Sequence, residues 1–133
     1  MTARYMLDTN IVSHIMQGRD QGLLQKLQSV PVGNIVLSSV TLGEIMYGLE
    51  RRANPARLLA ALEQILLRMD VLAWTREVAQ CYGKLCASME RYGINLSDLD
   101  MMIAAHALAD KAILVSRDKA FLQLHEALTV EVW

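Results

Sequence analysis

Apolar residues recur along the chain in short blocks of two kinds, runs of three or four and stripes at helical spacing, and the two kinds alternate. Arg4 to Leu7 reads as a first short strand, and Asn10 is placed to cap a helix through Ile11, Ile15 and Met16 that Gly18 ends. Leu23, Leu24 and Leu27 form a second amphipathic turn before Pro31 and Gly33 break the chain, and Ile35 to Leu37 is the next strand. Thr41 and Glu44 have capping-box spacing ahead of a helix through Ile45, Met46 and Leu49. Asn54-Pro55 opens another helix through Leu58, Leu59, Leu62, Ile65 and Leu66, and the two are expected to form a hairpin. Val71 to Trp74 reads as a strand, Thr75 caps a long helix ending near Gly93, and Ser97 caps the helix that carries Asp100. Ala112 to Ser116 is a buried strand, and Leu128 to Trp133 alternates like a last one.

Strands alternating with helices predict an α/β fold: a central, mainly parallel sheet flanked by helices. At 133 residues the chain fits a single domain spanning 1–133, with no repeat, linker or low-complexity segment. Hydrophobic residues make up 53 % of the chain, which excludes a disordered one, and no apolar run approaches the roughly 20 residues of a membrane span. Neither a membrane association nor a signal peptide is expected, so the cytoplasm is the expected compartment. Cys81 and Cys86 lie about 140° apart around one helix and are expected to be separate thiols.

The net charge of −1 argues against diffuse attraction to a polyanion, so any nucleic-acid contact must be local. Its candidates are Arg51, Arg52 and Arg57, with Arg117 and Lys119 on either side of Asp118; a solvated helix face is the ordinary alternative for the first three.

Four acids stand where strands end or helices begin: Asp8, Glu44, Asp100 and Asp118. In a parallel sheet, ligands bind outside the carboxyl ends of the strands, where Asp8 and Asp118 fall. Glu44 and Asp100 lie in first helical turns, where backbone N–H groups favour carboxylates. Taken singly each has an ordinary explanation, as cap, capping-box partner or dipole stabiliser. Together they predict one divalent-metal site of oxygen ligands, suited to Mg²⁺ or Mn²⁺. Asp98 points about 200° away from Asp100 and is held as a reserve ligand. Thr9, Asn10 and Ser116 are expected to hold the acids by hydrogen bonds. His14, His106 and His125 lack zinc-site spacing and are expected to be satisfied or exposed. Serine-nucleophile and glycine-rich phosphate motifs are absent, and Asp8 lacks the acidic neighbour a phosphoacceptor receiver domain needs.

The segments Met6-Leu7-Asp8-Thr9-Asn10, Ser39-Val40-Thr41-Leu42-Gly43-Glu44-Ile45-Met46-Tyr47-Gly48, Asp100-Met101-Met102-Ile103-Ala104-Ala105-His106-Ala107 and Val115-Ser116-Arg117-Asp118 resemble, in order and across the chain, those of PIN-domain proteins, specifically VapC-type toxins. The resemblance implies a Mg²⁺- or Mn²⁺-dependent endoribonuclease with Asp8, Glu44, Asp100 and Asp118 as catalytic and metal-binding residues. It further implies a structured RNA substrate, tRNA among the candidates, a homodimer, a VapB-like antitoxin that blocks the site, and operator DNA bound only through that antitoxin. The alternative is a noncatalytic antitoxin-binding module acting as co-repressor.

Overall fold

The structure, a computed structural model, describes residues 3–124 and 127–133, so His125 lies outside the described residues. The chain alternates as the apolar blocks predict: β1 (Tyr5–Leu7), α1 (Thr9–Gln17), α2 (Gln21–Ser29), β2 (Ile35–Ser38), α3 (Ser39–Glu50), α4 (Ala56–Leu66), β3 (Asp70–Leu72), α5 (Arg76–Arg91), α6 (Asp98–Asp110), β4 (Ile113–Val115) and β5 (Val130–Glu131). Short 3₁₀ turns cover Val32–Asn34 and Lys119–Leu124.

The five strands form one sheet in the order β3-β2-β1-β4-β5, and every pairing is parallel. From β1 the chain moves outward through β2 to β3, then returns to the other side for β4 and β5. The order therefore reverses between β1 and β4, and the crevice beyond their carboxyl ends is where a sheet of this kind binds its ligand.

Alternate strand residues face opposite sides, and each side buries its own apolar layer. Leu7, Leu37 and Val115 pack with Ile11, Ile15, Leu49, Leu58 and Leu62 under α1, α3 and α4. Met6, Val36 and Leu114 pack with Leu85, Met89, Ile103 and Phe121 under α5 and α6. Along α6 the run Ile103–Ala107 is buried without a break, so this helix lies inside the protein.

Several local expectations change. Asp8, rather than Asn10, caps α1, because the chain turns into the helix directly from β1. The capping box at Thr41 is not used: the cap lies three residues earlier, at Ser38, which accepts from the Val40 N–H, and Thr41 is left fully buried. The expected α3–α4 hairpin is instead a pair of helices that each rest on α1. Trp74 has left β3 and packs its ring edge-to-face between Tyr82 and His106, and β5 is confined to two residues. Gly18 and Gly93, expected at helix ends, both adopt positive φ there. Cys81 and Cys86 are free and half-buried. The apolar stripe of α4 is mostly core, with Leu58, Leu62 and Ile65 buried, while Leu59 and Leu67 remain exposed. Among the described residues no helix is long and apolar enough to cross a membrane.

Candidate active site

Asp8 follows β1 directly and is 4 % exposed. Its Oδ1 accepts from the Ile11 N–H at 2.9 Å and so caps α1, while Oδ2 accepts from Ser116 Oγ at 2.5 Å. Capping and a place in an acid site are therefore not alternatives here. Ser116 follows β4, and its Oγ also accepts from the Asp118 N–H at 3.0 Å. One buried hydroxyl thus joins the ends of the two strands that flank the crevice. Asp118 folds back on itself, with Oδ1 accepting from the Ala120 N–H at 2.9 Å. Asp100 sits in the first turn of α6, whose cap, Ser97, accepts from the Asp100 N–H.

Electrostatics ties three of these acids together. The Asp8 carboxyl is pushed above the ordinary aspartate range, first by burial; Ser116 and the Ile11 N–H pull it down, and the charges of Asp100 and Asp118 push it up again. Asp100 is raised in the same way, by burial first and with Asp118 adding to it, against the lowering effect of Ser97. Glu44 joins through the residue next to Asp8: Thr9 Oγ1 donates to Glu44 Oε1 at 2.7 Å. Thr9, Ser13, Glu44, Gly48 and Arg52 line an adjoining cleft of about 130 Å³ between α1 and α3.

As they lie, no three of the described His, Cys, Asp and Glu side chains are gathered closely enough to hold a metal ion. Asp118 and Glu44 are each turned onto a neighbouring donor. The donor set suits a hard divalent cation all the same, being composed of oxygen alone and including a buried carboxylate whose charge is penalised by its surroundings.

The remaining candidates divide. Ser116 and Thr9 hold acids by hydrogen bonds, whereas Asn10 is exposed in α1 and takes no part in these bonds. Asp98 is exposed, and its charge acts on Tyr82 while those that raise Asp8 and Asp100 come from other carboxylates. Arg117, expected near a phosphate, is held by Asp20 at 2.7 Å and by the Trp133 carbonyl at 2.8 Å. Arg51 stacks over Tyr47, with its guanidinium carbon 5.3 Å from the ring centre, while Arg57 and Lys119 are exposed. Of the basic residues singled out from the sequence, Arg52 is the one that lines the cleft beside Glu44.

One polar pair went unforeseen. Ser38 Oγ and His106 Nδ1 lie 2.7 Å apart and fully buried. The available signal was a histidine inside the otherwise apolar run Ile103–Leu108, since a buried imidazole needs a partner.

Known proteins share this fold. The model of the PIN domain matches residues 5–127. Ribonuclease VapC2 of Haemophilus influenzae is 33 % identical over 130 residues, covering 98 % of each chain. The tRNA(fMet)-specific endonuclease VapC of Shigella flexneri is 32 % identical, again over 98 % of both. Among solved structures, VapBC2 from Rickettsia felis bound to a DNA fragment from its promoter superposes with a TM-score of 0.90 at 28 % identity, covering 97 % of this chain and 98 % of that one. With an all-parallel sheet of this order and its acids at the β1–β4 crevice, the chain belongs to the PIN-domain family, among its VapC members.

Proposed function

We propose that this protein is the ribonuclease toxin of a toxin–antitoxin pair, a Mg²⁺- or Mn²⁺-dependent endonuclease that hydrolyses phosphodiester bonds in structured RNA and so inhibits translation. The observation that carries the reading is the joining of Asp8 and Asp118 through Ser116 at the switch point of the sheet, with Asp100 near enough for its charge to act on Asp8 and Glu44 linked through Thr9. The names of the Haemophilus and Shigella relatives support RNA as the substrate, and the second makes tRNA the first to test. The Rickettsia complex supports a VapB-like antitoxin as partner, with operator DNA reached through it. A homodimer is part of the same reading.

Asp8, Asp100 and Asp118 would hold the cation, with Glu44 binding it directly or through water. The bound ion would supply positive charge against the phosphate oxygens and make water more acidic. The chain's own groups set the geometry. Ser116 and the Ile11 N–H fix both oxygens of Asp8, so its orientation does not depend on the ligand. Thr9 occupies Oε1 of Glu44, leaving Oε2 as the acceptor for a water proton. Arg52, at the cleft wall, is positioned to meet a substrate phosphate. Water adds to phosphorus, the bond to the 3′ oxygen breaks, and that oxygen takes up a proton. The products are 5′-phosphate and 3′-hydroxyl ends.

Incubating purified, antitoxin-free protein with total cellular RNA and Mg²⁺ or Mn²⁺, then sequencing the new ends, tests this. Discrete cuts with 5′-phosphates, lost in EDTA and in Asp8→Ala, are expected. Cyclic 2′,3′-phosphate ends would refute water attack, and no cleavage by folded protein would favour the noncatalytic binding module.

A further inference from the structure

Ser38 is the last residue of β2 and the cap of α3, the helix of Glu44. His106 lies on α6, the helix of Asp100. Both side chains are buried, at 0 % and 2 % exposure, and they meet at 2.7 Å between residues 68 apart in sequence. Ser38 Oγ already accepts from the Val40 N–H at 3.1 Å. Its own proton therefore goes to Nδ1, which assigns His106 the tautomer protonated at Nε2; a proton on Nδ1 would leave the buried hydroxyl proton without an acceptor. Burial holds the imidazole below its ordinary pKa, which favours this neutral form. Trp74 packs edge-to-face on the ring with centroids 5.8 Å apart, fixing its plane from the other side.

The link is placed symmetrically with respect to the acids. Glu44 is six residues after Ser38 along α3, and Asp100 is six residues before His106 along α6, each about 9 Å away at 1.5 Å per helical residue. Each acid is thus joined to the same hydrogen bond by fewer than two turns of rigid helix.

We propose that His106 is a positioning residue of the acid site: through Nδ1 it holds the Ser38 hydroxyl and so fixes the start of the Glu44 helix against the Asp100 helix. This rests on the reading of Glu44 and Asp100 as members of one site. Among the described residues His106 makes no hydrogen bond to an acid of that site; the charge that acts on it is that of Asp110, which is paired with Arg4. A role in proton transfer is therefore not required of it.

The Nδ1 assignment separates two substitutions that both abolish titration. In His106→Asn the side-chain oxygen falls near the place of Nδ1 and can still accept from Ser38, whereas His106→Leu fills the volume and accepts nothing. His106→Leu should lower kcat for RNA cleavage about 10- to 100-fold, as loss of an outer hydrogen bond does around ligated sites, with KM little changed. His106→Asn should restore most of that loss. Ser38→Ala should resemble His106→Leu, and the double variant should be no worse than the poorer single one. The rise in melting temperature caused by Mn²⁺ should shrink in His106→Leu and return in His106→Asn. Hydrogen exchange in the first turn of α3 should quicken in His106→Leu, without a matching change at Ile11.

Three results would overturn the proposal: Asn as damaging as Leu, additive losses in the double variant, or unaltered exchange at the start of α3. Should His106→Leu fail to fold, Ser38→Ala and His106→Asn decide the matter by the same exchange measurement. A wild type that cleaves no RNA refutes the proposed function alone, because the exchange comparison does not depend on activity.

Discussion

Removing the Ser116 hydroxyl breaks a side-chain bridge between the ends of β1 and β4, leaving the backbone bond from the Asp8 N–H to the Val115 carbonyl. Ser116 is 1 % exposed, donates to the Asp8 carboxylate and accepts from the Asp118 N–H. A hydrogen bond to a charged group contributes about 1.5–3 kcal/mol and an uncharged one about 1 kcal/mol, while the methyl left by Ser116→Ala opens little space. The expected loss is about 3 kcal/mol, or roughly 10 °C in Tm for a chain of this size. Urea denaturation at two pH values checks the cause. Burial raises the folded Asp8 pKa, so whatever stability this group contributes is complete below its unfolded value and is lost as pH rises through the folded one. Without Ser116 the folded pKa rises further, and the loss with increasing pH becomes larger. Ser116→Ala should therefore cost more at pH 8 than at pH 4.5. An equal cost at both, or a total below about 0.5 kcal/mol, would refute the bridging role.

Thr41→Val should raise stability by about 1 kcal/mol in the same denaturation, because Thr41 Oγ1 is buried with no hydrogen-bond partner among the described residues and valine keeps the shape. Arg52→Ala should raise KM for RNA severalfold and leave kcat nearly unchanged, whereas Arg117→Ala should chiefly lower Tm through its lost contacts to Asp20 and Trp133; steady-state kinetics and a melt separate the two. His106 has a depressed folded pKa, so its contribution to stability is present above the unfolded value near 6.5 and lost as pH falls from there through the folded one. Between pH 7.5 and 5.5 the wild type should accordingly lose more stability than His106→Asn does.

The fold was largely legible because its signals are local. Three-residue apolar runs and helical stripes placed every strand and helix to within a few residues, and their alternation implied a parallel sheet. What failed were choices between equivalent local acceptors for the helix N–H groups. Thr41 and Glu44 satisfy the capping-box spacing, yet β2 runs straight into α3 and Ser38 takes the cap, freeing Glu44 to accept from Thr9. Asn10 lost the cap of α1 to Asp8 for the same reason: the strand ends directly at the helix. Asp8, Asp100 and Asp118 were readable from their places at element ends. Arg117's engagement with Asp20 and the last residue was not, since it depends on how distant segments pack. The Ser38–His106 bond spans 68 residues and carries no periodic signature, so only the buried setting of the histidine hinted at it.

Mn²⁺ binding measured by calorimetry in the wild type, Asp8→Asn and Asp100→Asn tests the central claim most directly, because it asks whether these acids form one site without reference to any RNA. The account predicts saturable binding by the wild type, severely weakened by either substitution, and a cation-free Asp8→Asn protein that melts higher than the wild type near neutral pH as a penalised buried charge is removed. Binding that survives both substitutions, or no binding by folded wild-type protein, would contradict it.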